Sequence, residues 1–348
     1  MPKIVLSGIP GPAGRRTDVV NVVITGGAGF LGARLARELL AAGTLEVAGA
    51  PARPLGQVTL IDQFPAPADL AADHRVTEIR GDVGELPQAG RQALAGAEVI
   101  FHLAAAVSGE CEADFDLGMR ANLQGTESLL ATCRALGTQP VVVLASSLAV
   151  FGAAPEHPMP AAVDDYTLPT PQSSYGTQKL ISEYLLADYT RKGFLHGRAV
   201  RLVTVSVRPG KPNAAASGFL SSIIREPLAG QRAVCPVDPA TEAALASPGR
   251  AIAGLLRAAT AAEQDWGGRT AVNLPALTVS VTDMIAALER AAGPQASALI
   301  DFVPDPATER IVSSWPVRVR AGRAACLGLT ADPDFDSVIQ AHLADTRG

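Results

Sequence analysis

A glycine-rich turn near the start of the chain lies between a run of β-branched residues and a helical pattern. The segment reads VVITGGAGFLGARLA and places Gly26, Gly29 and Gly32 at regular spacing. In such a setting the first glycine permits a tight turn, the second lets the backbone approach a pyrophosphate, and the third allows close packing of strand and helix. The free N–H groups at the start of the helix favour an anion. The segment therefore predicts a dinucleotide-binding strand–turn–helix unit, with a purely structural turn as the alternative.

The chain alternates apolar strands and helical patterns as far as about Pro209. The runs VNVVIT, VTLID, EVIFH and PVVVLAS are almost continuously apolar, as is typical of parallel strands that are buried on both faces. Repetition of this kind predicts an α/β fold with a doubly wound parallel sheet of the Rossmann type. We expect an N-terminal extension over 1–19, a Rossmann domain that binds the dinucleotide over 20–209, and a smaller α/β lobe that binds the substrate over 210–348.

Composition excludes several classes of partner and site. The net charge is −5, and no apolar run is long enough to span a membrane, so we expect no nucleic-acid or membrane partner. The five histidines form no cluster with ligand spacing, and no metal site is predicted. The start of the chain lacks the order of a secretory signal, and the four cysteines are far apart without a CxxC pair, which predicts reduced thiols in a cytoplasmic protein: Cys111, Cys133, Cys235 and Cys326.

Two acidic residues at strand ends indicate which dinucleotide is bound. Asp62 ends VTLID, where a carboxylate can accept hydrogen bonds from a ribose diol and would repel a 2′-phosphate. Gln63 and Phe64 supply no cation for that phosphate, so NAD is favoured over NADP. Asp82, in the sequence GDV, can bind the adenine amino group. The alternative for each aspartate is that it caps the following turn or helix.

A tyrosine and a lysine share a helix face in SSYGTQKLISEYLLADY. Tyr175 and Lys179 are four residues apart, which places them on the same side of a helix. A free phenol has a pKa of about 10; we expect Lys179 and the positive nicotinamide ring to lower that pKa, so that Tyr175 can accept a hydroxyl proton. Ser147, which follows a strand, would orient the reacting oxygen. A solvated helix face is the alternative for the pair.

These motifs resemble those of the extended short-chain dehydrogenase/reductases. The matching stretches are TGGAGFLG, FHLAA, RANLQGTESLL, SSLAVFG and YGTQK. The resemblance implies that Tyr175 is the catalytic acid/base, that Lys179 lowers its pKa and holds the ribose, and that Ser147 orients the substrate. Asn122 matches an asparagine that is either structural or part of a proton relay. The resemblance also implies a homodimer formed through the helices that carry Asn122 and Tyr175.

The predicted cofactor contacts follow from the motifs and this resemblance together. Besides Tyr175 and Lys179, they are Gly26, Gly29, Phe30, Leu31, Gly32, Asp62, Asp82, Val83, Leu103, Ala104, Ala105 and Pro209.

Further stretches resemble a subgroup of this family that oxidises a small sugar acid. They are AAAVSGECEADFDLGMRANLQGT, VRPGKPNAAASGF with REPLAG, and LGLTADPDFDSVIQAHLAD. The resemblance implies oxidation of D-erythronate to 2-keto-D-erythronate with NAD⁺. A carboxylate is bound best by a fork of donors such as arginine provides, and Arg208 follows the sixth strand; a surface or capping charge is the alternative for each cation there. The predicted substrate contacts are Ser108, Ser147, Tyr175, Lys211, Asn213 and Arg225.

The sequence departs from the family pattern at one position of the substrate lobe. Extended members usually carry an arginine next to an aromatic residue before the helix that begins here near Ser247, whereas this chain has Glu242, Ala243 and Ala244. A carboxylate that faces the pocket would repel an anionic group. Either Arg225 or Arg250 makes the anion contact, or the substrate differs, or activity is reduced.

Three functions are compatible with the sequence. The first is an NAD-dependent dehydrogenase of a small sugar acid. The second is a nucleotide-sugar epimerase or dehydratase, which uses the same triad; the missing arginine and the lack of a glutamate beside Ser147 argue against it. The third is an NAD-binding sensor without turnover, a class that commonly loses the tyrosine or the lysine, whereas Tyr175 and Lys179 are both present.

Overall fold

The computed structural model describes residues 18–153, 156–210 and 215–347. Its strands are β1 Val20–Thr25, β2 Thr44–Val47, β3 Ala50–Asp62, β4 Val76–Arg80, β5 Val99–His102, β6 Val141–Ser147, β7 Val163–Asp164, β8 His196–Leu202, β9 Thr204–Val205, β10 Ala233–Cys235, β11 Glu242–Ala246, β12 Val272–Asn273, β13 Leu277–Ser280, β14 Ile300–Phe302 and β15 Val319–Arg320.

The helices are α1 Phe30–Ala42, α2 Ala68–Ala71, α3 Gln88–Gly96, α4 Ser108–Ala113, α5 Phe115–Gly118, α6 Gly125–Leu136, α7 Ser174–Arg191, α8 Phe219–Leu228, α9 Pro248–Thr260, α10 Glu263–Trp266, α11 Val281–Ala292, α12 Pro294–Ser297, α13 Pro306–Ser313, α14 Gly322–Cys326 and α15 Phe335–Arg347. A π-helical turn over Met119–Gln124 joins α5 to α6, and a 3₁₀ turn over Leu148–Val150 follows β6.

The central sheet is parallel and doubly wound, as the strand–helix alternation predicts. Its parallel strands lie in the order β4–β3–β1–β5–β6–β8–β12, and β2 pairs antiparallel with the first part of β3. The chain moves outward from β1 in one direction through β3 and β4, and in the other direction through β5. The order therefore reverses between β1 and β5, and ligands of open α/β sheets bind outside the carboxyl ends of strands at such a point.

Both faces of the sheet are covered, which explains the continuous apolar strands. Successive side chains of a strand point to opposite faces. Val22 and Ile24 of β1 therefore belong to a core with the α1 residue Leu35, and Val23 belongs to a second core with the α6 residue Leu129.

A buried ion pair fixes the helix that carries Tyr175. Glu183 of α7 and Arg201 of β8 are both buried, with Oε2 and Nη2 2.7 Å apart. The Ser146 hydroxyl donates to Glu183 Oε1 at 2.5 Å, and the Arg201 guanidinium lies 4.8 Å from the centroid of the Phe151 ring. A charge in this setting requires its partner, because a lone buried charge is strongly destabilising. The pair thus holds α7 against the ends of β6 and β8.

The second half of the chain builds a smaller lobe with its own core. Phe219 and Ile223 of α8, Met284 of α11 and Ile339 of α15 pack together. Short strand pairs frame this core, with β11 between β9 and β13 and with β10 beside β14. The chain also returns to the large sheet within 210–348, since β12 pairs with β8 and Ile252 of α9 lies in the core that contains Ile24. Among the described residues, no helix is both long and apolar enough to cross a membrane.

Candidate active site

A cleft of about 350 Å³ runs from the carboxyl ends of the central strands into the smaller lobe. The glycine turn lines one end of the cleft with Gly26, Gly29, Phe30, Leu31 and Gly32. The middle is lined by Leu103, Ala105, Ser108, Ser147, Tyr175 and Lys179. The predicted cofactor turn and the predicted Tyr–Lys–Ser group therefore share one cavity.

The glycine turn has the shape of a pyrophosphate cradle. Gly26 has a φ of +71°, and a Cβ there would lie 2.7 Å from the backbone nitrogen of Ala104. A Cβ on Gly32 would lie 2.2 Å from the Gly26 carbonyl oxygen, so strand and helix approach too closely for a side chain. Gly29 is exposed and begins α1 without a side-chain cap. The first N–H groups of α1 therefore point into the cleft end and suit an anion.

Asp62 and Asp82 make turn-capping hydrogen bonds. Asp62 accepts from the N–H groups of Ala28 and Phe64, each at 3.0 Å. Asp82 accepts from the Gly84 N–H at 2.7 Å and from the Gln63 amide at 3.0 Å. A carboxylate oxygen has more than one lone pair, so these bonds leave acceptor capacity for a ribose or an adenine amino group. Both aspartates thus cap turns, as the alternative for each predicts, and their contacts with the dinucleotide stay predictions.

Other predicted cofactor residues lie around the cleft rather than on its wall. Val83 is buried behind the turn that Asp82 caps, and Ala104 packs against Gly26. Pro209 is exposed at the end of the strand segment that precedes the substrate loop.

Tyr175, Lys179 and Ser147 converge because α7 begins directly against the end of β6. A Cβ on Gly176 would lie 2.0 Å from the Ala149 carbonyl oxygen, so only glycine allows this approach. The side chains of Ser147 and Tyr175 are close enough for Ser147 to lower the pKa of Tyr175. Lys179 is 4% exposed and donates from Nζ to the Ala145 carbonyl oxygen at 3.0 Å; its Nζ lies 5.7 Å from the centroid of the Tyr175 ring.

Burial dominates the protonation of this pair. Burial raises the pKa of Tyr175 to about 12 and lowers the pKa of Lys179 to about 8. The groups that act in the opposite direction on Tyr175 are the positive charge of Arg208 and the hydrogen bond from Ser147. The direction expected from sequence, a tyrosine pKa lowered by Lys179, is thus not produced by the protein groups alone. The cation that lowers the Tyr175 pKa here comes from the loop after β9.

Asn122 lies behind the cleft. It is buried in the π-helical turn, and its Oδ1 accepts from the Ala106 N–H at 2.8 Å. Its Nδ2 donates to Gln178 Oε1 at 2.9 Å. Asn122 therefore connects the loop that leads to Ser108 with Gln178 of α7. Such a role agrees with the alternative that this asparagine is structural.

Among the described residues, Arg208 is the arginine that lines the cleft. Its Nε donates to the Val205 carbonyl oxygen at 2.9 Å, and its Nη2 donates to Ser217 Oγ at 3.2 Å. Among the described residues, no carboxylate forms an ion pair with it. Its backbone carbonyl accepts from Arg225 Nη1 at 2.6 Å. Hydrogen bonds therefore hold both the backbone and the guanidinium of Arg208.

Arg225, which is a predicted substrate contact, does not point into the cleft. It pairs with Glu226 at 2.5 Å and holds the Arg208 backbone, and it does not line the cleft. Ser108 does line the cleft, and its Oγ accepts from the Ala216 N–H at 3.2 Å. Lys211 and Asn213, the other predicted contacts of this loop, lie outside the described residues.

The acidic position that departs from the family pattern also lines the cleft. Glu242 accepts from Arg318 Nη2 at 2.9 Å, and Ala243 and Ala244 continue the same wall. Arg250 is 3.8 Å from Asp332 and does not line the cleft. The cleft is also lined by Trp315, Pro316 and Val317, which sequence reasoning misses because this segment carries no recognisable pattern. Among the described residues, no group of three or more His, Cys, Asp or Glu side chains is arranged to hold a metal.

A Gly29→Ala variant tests whether the glycine turn carries a pyrophosphate. The new Cβ would lie 3.2 Å from the Gly26 carbonyl oxygen, a contact that a small shift relieves, but it would occupy the open approach to the α1 N–H groups. We expect NADH affinity to fall about tenfold or more, as for a lost charge-assisted hydrogen bond, with little change in melting temperature. Fluorescence titration of NADH measures this affinity.

Gly96→Ala is the matched control, because a Cβ on Gly96 meets no atom within 4 Å. Equal NADH affinities for both variants would exclude pyrophosphate binding at Gly29.

Comparison of the sequence with known proteins identifies its family. The sequence model of the NAD dependent epimerase/dehydratase family matches residues 22–244. The chain is 50% identical to D-erythronate dehydrogenase of Cupriavidus necator over 94% of this chain and 98% of that protein. It is 39% identical to the D-erythronate dehydrogenase of Haemophilus influenzae, over 92% of this chain and 98% of that protein.

A solved structure supports the fold over nearly the whole chain. The nucleoside-diphosphate-sugar epimerase from Agrobacterium tumefaciens superimposes with a TM-score of 0.85 at 41% identity, covering 97% of this chain and 98% of that one. The predictions of a Rossmann-type fold, of NAD as the cofactor and of an extended short-chain dehydrogenase/reductase are confirmed. This chain belongs to the NAD dependent epimerase/dehydratase family, among the extended short-chain dehydrogenase/reductases.

Proposed function

We propose that this protein oxidises a small sugar acid, D-erythronate, to 2-keto-D-erythronate with NAD⁺. The observation that carries the proposal is Arg208, a cation without a carboxylate partner among the described residues, in the same cleft as Tyr175 and Ser147. A guanidinium suits a carboxylate in this setting, because it offers a planar fork of donors. The names of the two relatives that cover nearly all of this chain support the same substrate.

In the proposed reaction the C2 hydroxyl loses a proton and C2 loses a hydride, which leaves a ketone. Bound NAD⁺ supplies the hydride acceptor. Tyr175 takes the hydroxyl proton, and Ser147 holds the same oxygen by a hydrogen bond. Arg208 binds the carboxylate and favours the ionised form of Tyr175 through its charge. The hydroxyl of Ser108 is available to a hydroxyl group of the substrate.

Lys179 has a separate task in this proposal. Its Nζ is anchored on the Ala145 carbonyl, next to the ring, and two of its three N–H bonds are not used by this contact. Those donors are suited to the ribose hydroxyls of the dinucleotide. Asp62 and Asp82 are proposed to bind the adenosine half with the acceptor capacity that their capping bonds leave.

The organisation of the chain fits a division of these tasks. We propose that residues 20–209 bind NAD and that 210–348 chiefly shape the substrate end, although Arg208 sits at the border of the two. A cytoplasmic location is supported by the cysteines, which are all free thiols, three of them buried: Cys111, Cys133 and Cys235.

Turnover of a defined panel tests the proposed reaction. We expect NADH absorbance to rise with NAD⁺ and D-erythronate, and to rise less with the other four-carbon sugar acids. A Tyr175→Phe variant should lose about 10² to 10⁴ in kcat, the usual contribution of general acid–base catalysis, while its NADH affinity stays near that of the wild type.

Conversion of a UDP-sugar without any signal from a sugar acid would instead establish the epimerase alternative, which the solved structural neighbour suggests by its name. Full turnover by Tyr175→Phe would contradict the role of the phenol.

An Arg208→Gln variant tests the two tasks proposed for this guanidinium. Loss of a charged hydrogen bond to the carboxylate should raise the KM for D-erythronate about 10- to 100-fold. Because the Arg208 charge lowers the Tyr175 pKa, its removal raises that pKa, and the phenolate then forms only at higher pH. The rising limb of the pH profile of kcat should therefore move to higher pH. Steady-state kinetics across pH measure both effects.

Arg232→Gln is the control for that variant, since Arg232 is an exposed cation of the same lobe that pairs with Asp301. An Arg208→Gln enzyme with an unchanged KM and pH profile would remove this residue from the site.

We propose a homodimer through α7 and the neighbouring helices. Ile181 and Tyr184 are apolar residues of α7 that are 38% and 60% exposed, and Phe115 of α5 is also exposed. We expect sedimentation velocity to give a dimer for the wild type and a monomer for Ile181→Glu/Tyr184→Arg. Tyr166→Glu, at an exposed site outside α7, serves as the control and should remain dimeric. A monomeric wild type would rule out this assembly.

A further inference from the structure

An ion pair joins a residue of the cleft lining to a neighbouring arginine. Glu242 begins β11 and lines the cleft, and its partner Arg318 directly follows the lining segment Trp315–Val317. The side chains are 39% and 52% exposed, in contrast to the buried residues Ala243 and Ala244 deeper along β11. The pair therefore lies where the cleft opens to solvent.

The segment that carries Arg318 is fixed in place by its backbone. The Arg318 carbonyl accepts from the Val163 N–H at 3.0 Å, and the Val317 carbonyl accepts from the Thr278 hydroxyl at 2.5 Å. Thr278 belongs to β13, which pairs with β11 opposite Ala244. These backbone contacts thus hold the segments that carry Glu242 and Arg318 next to each other.

The distance of this pair from Arg208 can be read along β11. Arg208 is anchored on Val205 of β9, and β9 pairs with β11 at Leu245 and Ala246. Val205 pairs with Ala246, and Glu242 lies four residues before Ala246, which in a strand corresponds to about 13 Å. A four-carbon acid held at Arg208 is shorter than this, whereas an acid with a phosphate or diphosphate at its far end reaches the mouth.

We infer that Glu242 is a specificity-determining residue that makes the cleft reject sugar acids carrying a distal phosphate or diphosphate. This inference rests on the proposed function for the identity of the short substrate. A free arginine at the mouth would bind a phosphate through its fork of donors. Glu242 occupies that fork and adds a negative charge to the wall, so an incoming phosphate meets repulsion and a cation that is already paired. A neutral hydroxymethyl end meets neither obstacle.

The same arrangement implies that Arg318 can bind a phosphate once its pairing with Glu242 is removed. Removal of the Glu242 charge leaves the Arg318 guanidinium without its partner, next to the lining residues Val317 and Glu242. The selectivity is thus a property of the pair, and the two residues are coupled in a way that a double-mutant cycle detects.

Equilibrium binding to the NADH-saturated full-length protein tests the inference, because no turnover occurs and bound NADH occupies the glycine turn. The probes are D-erythronate and D-erythronate 4-phosphate, which differ only in the distal phosphate. Wild type should bind the phosphate ester more weakly than the parent acid. In Glu242→Gln the ratio of the two dissociation constants should shift toward the ester by at least about tenfold. Glu242→Gln/Arg318→Gln should lose that gain, and Arg318→Gln alone should not produce it.

Two results would overturn the inference: a wild type that binds the ester as tightly as the acid, or a gain in Glu242→Gln that persists without Arg318. Inorganic pyrophosphate, titrated into the same four proteins, separates this inference from the proposed substrate. If wild type does not bind D-erythronate while pyrophosphate binding still increases only in Glu242→Gln, the proposed substrate is wrong and the role of Glu242 stands. If pyrophosphate binding is the same in all four proteins, the role of Glu242 is refuted.

Discussion

The approach of α7 to the carboxyl end of β6 is the constraint on which the site depends. Gly176 makes the approach possible, because any side chain there would overlap the Ala149 carbonyl. The buried pair of Glu183 and Arg201 then makes it stable, since neither charge tolerates burial without the other. Tyr175, Lys179 and Ser147 meet as a consequence of this packing and not through strong contacts among themselves.

Burial of Tyr175 and Lys179 has an electrostatic cost, which Arg208 offsets in part. A phenol in this position is a weaker acid than a phenol in water, and the amine beside it holds its proton less firmly. Arg208 supplies a positive charge from the border of the Rossmann half, and Arg225 and Ser221 of the smaller lobe fix the backbone that carries it. The acidity of the tyrosine is therefore set partly by the smaller lobe, so the chemistry requires both parts of the fold.

The hydrogen-bond partners of Arg208 distinguish it from the other arginines in or near the cleft. Arg225, Arg250 and Arg318 each have a carboxylate partner, whereas Arg208 donates to a carbonyl and a hydroxyl. A paired arginine offers little to an anion, while an arginine bound only to neutral acceptors keeps its charge available. One anionic group is thus favoured at depth and disfavoured at the opening, which corresponds to a short monocarboxylate.

The sequence by itself determined the parallel sheet, the glycine turn and the shared helix face of Tyr175 and Lys179, because each depends on local spacing: apolar runs for strands, glycines for a turn, and four residues for one helix face. It did not determine which cation serves the site. Arg225 and Arg208 have the same chemistry and nearby positions in the chain. Only the tertiary structure shows that Arg225 holds the Arg208 backbone and that Arg208 lines the cleft. The Trp315–Val317 lining and the partner of Glu242 were likewise decided by long-range packing, since residues that meet only in the folded chain leave no periodic signal along the sequence.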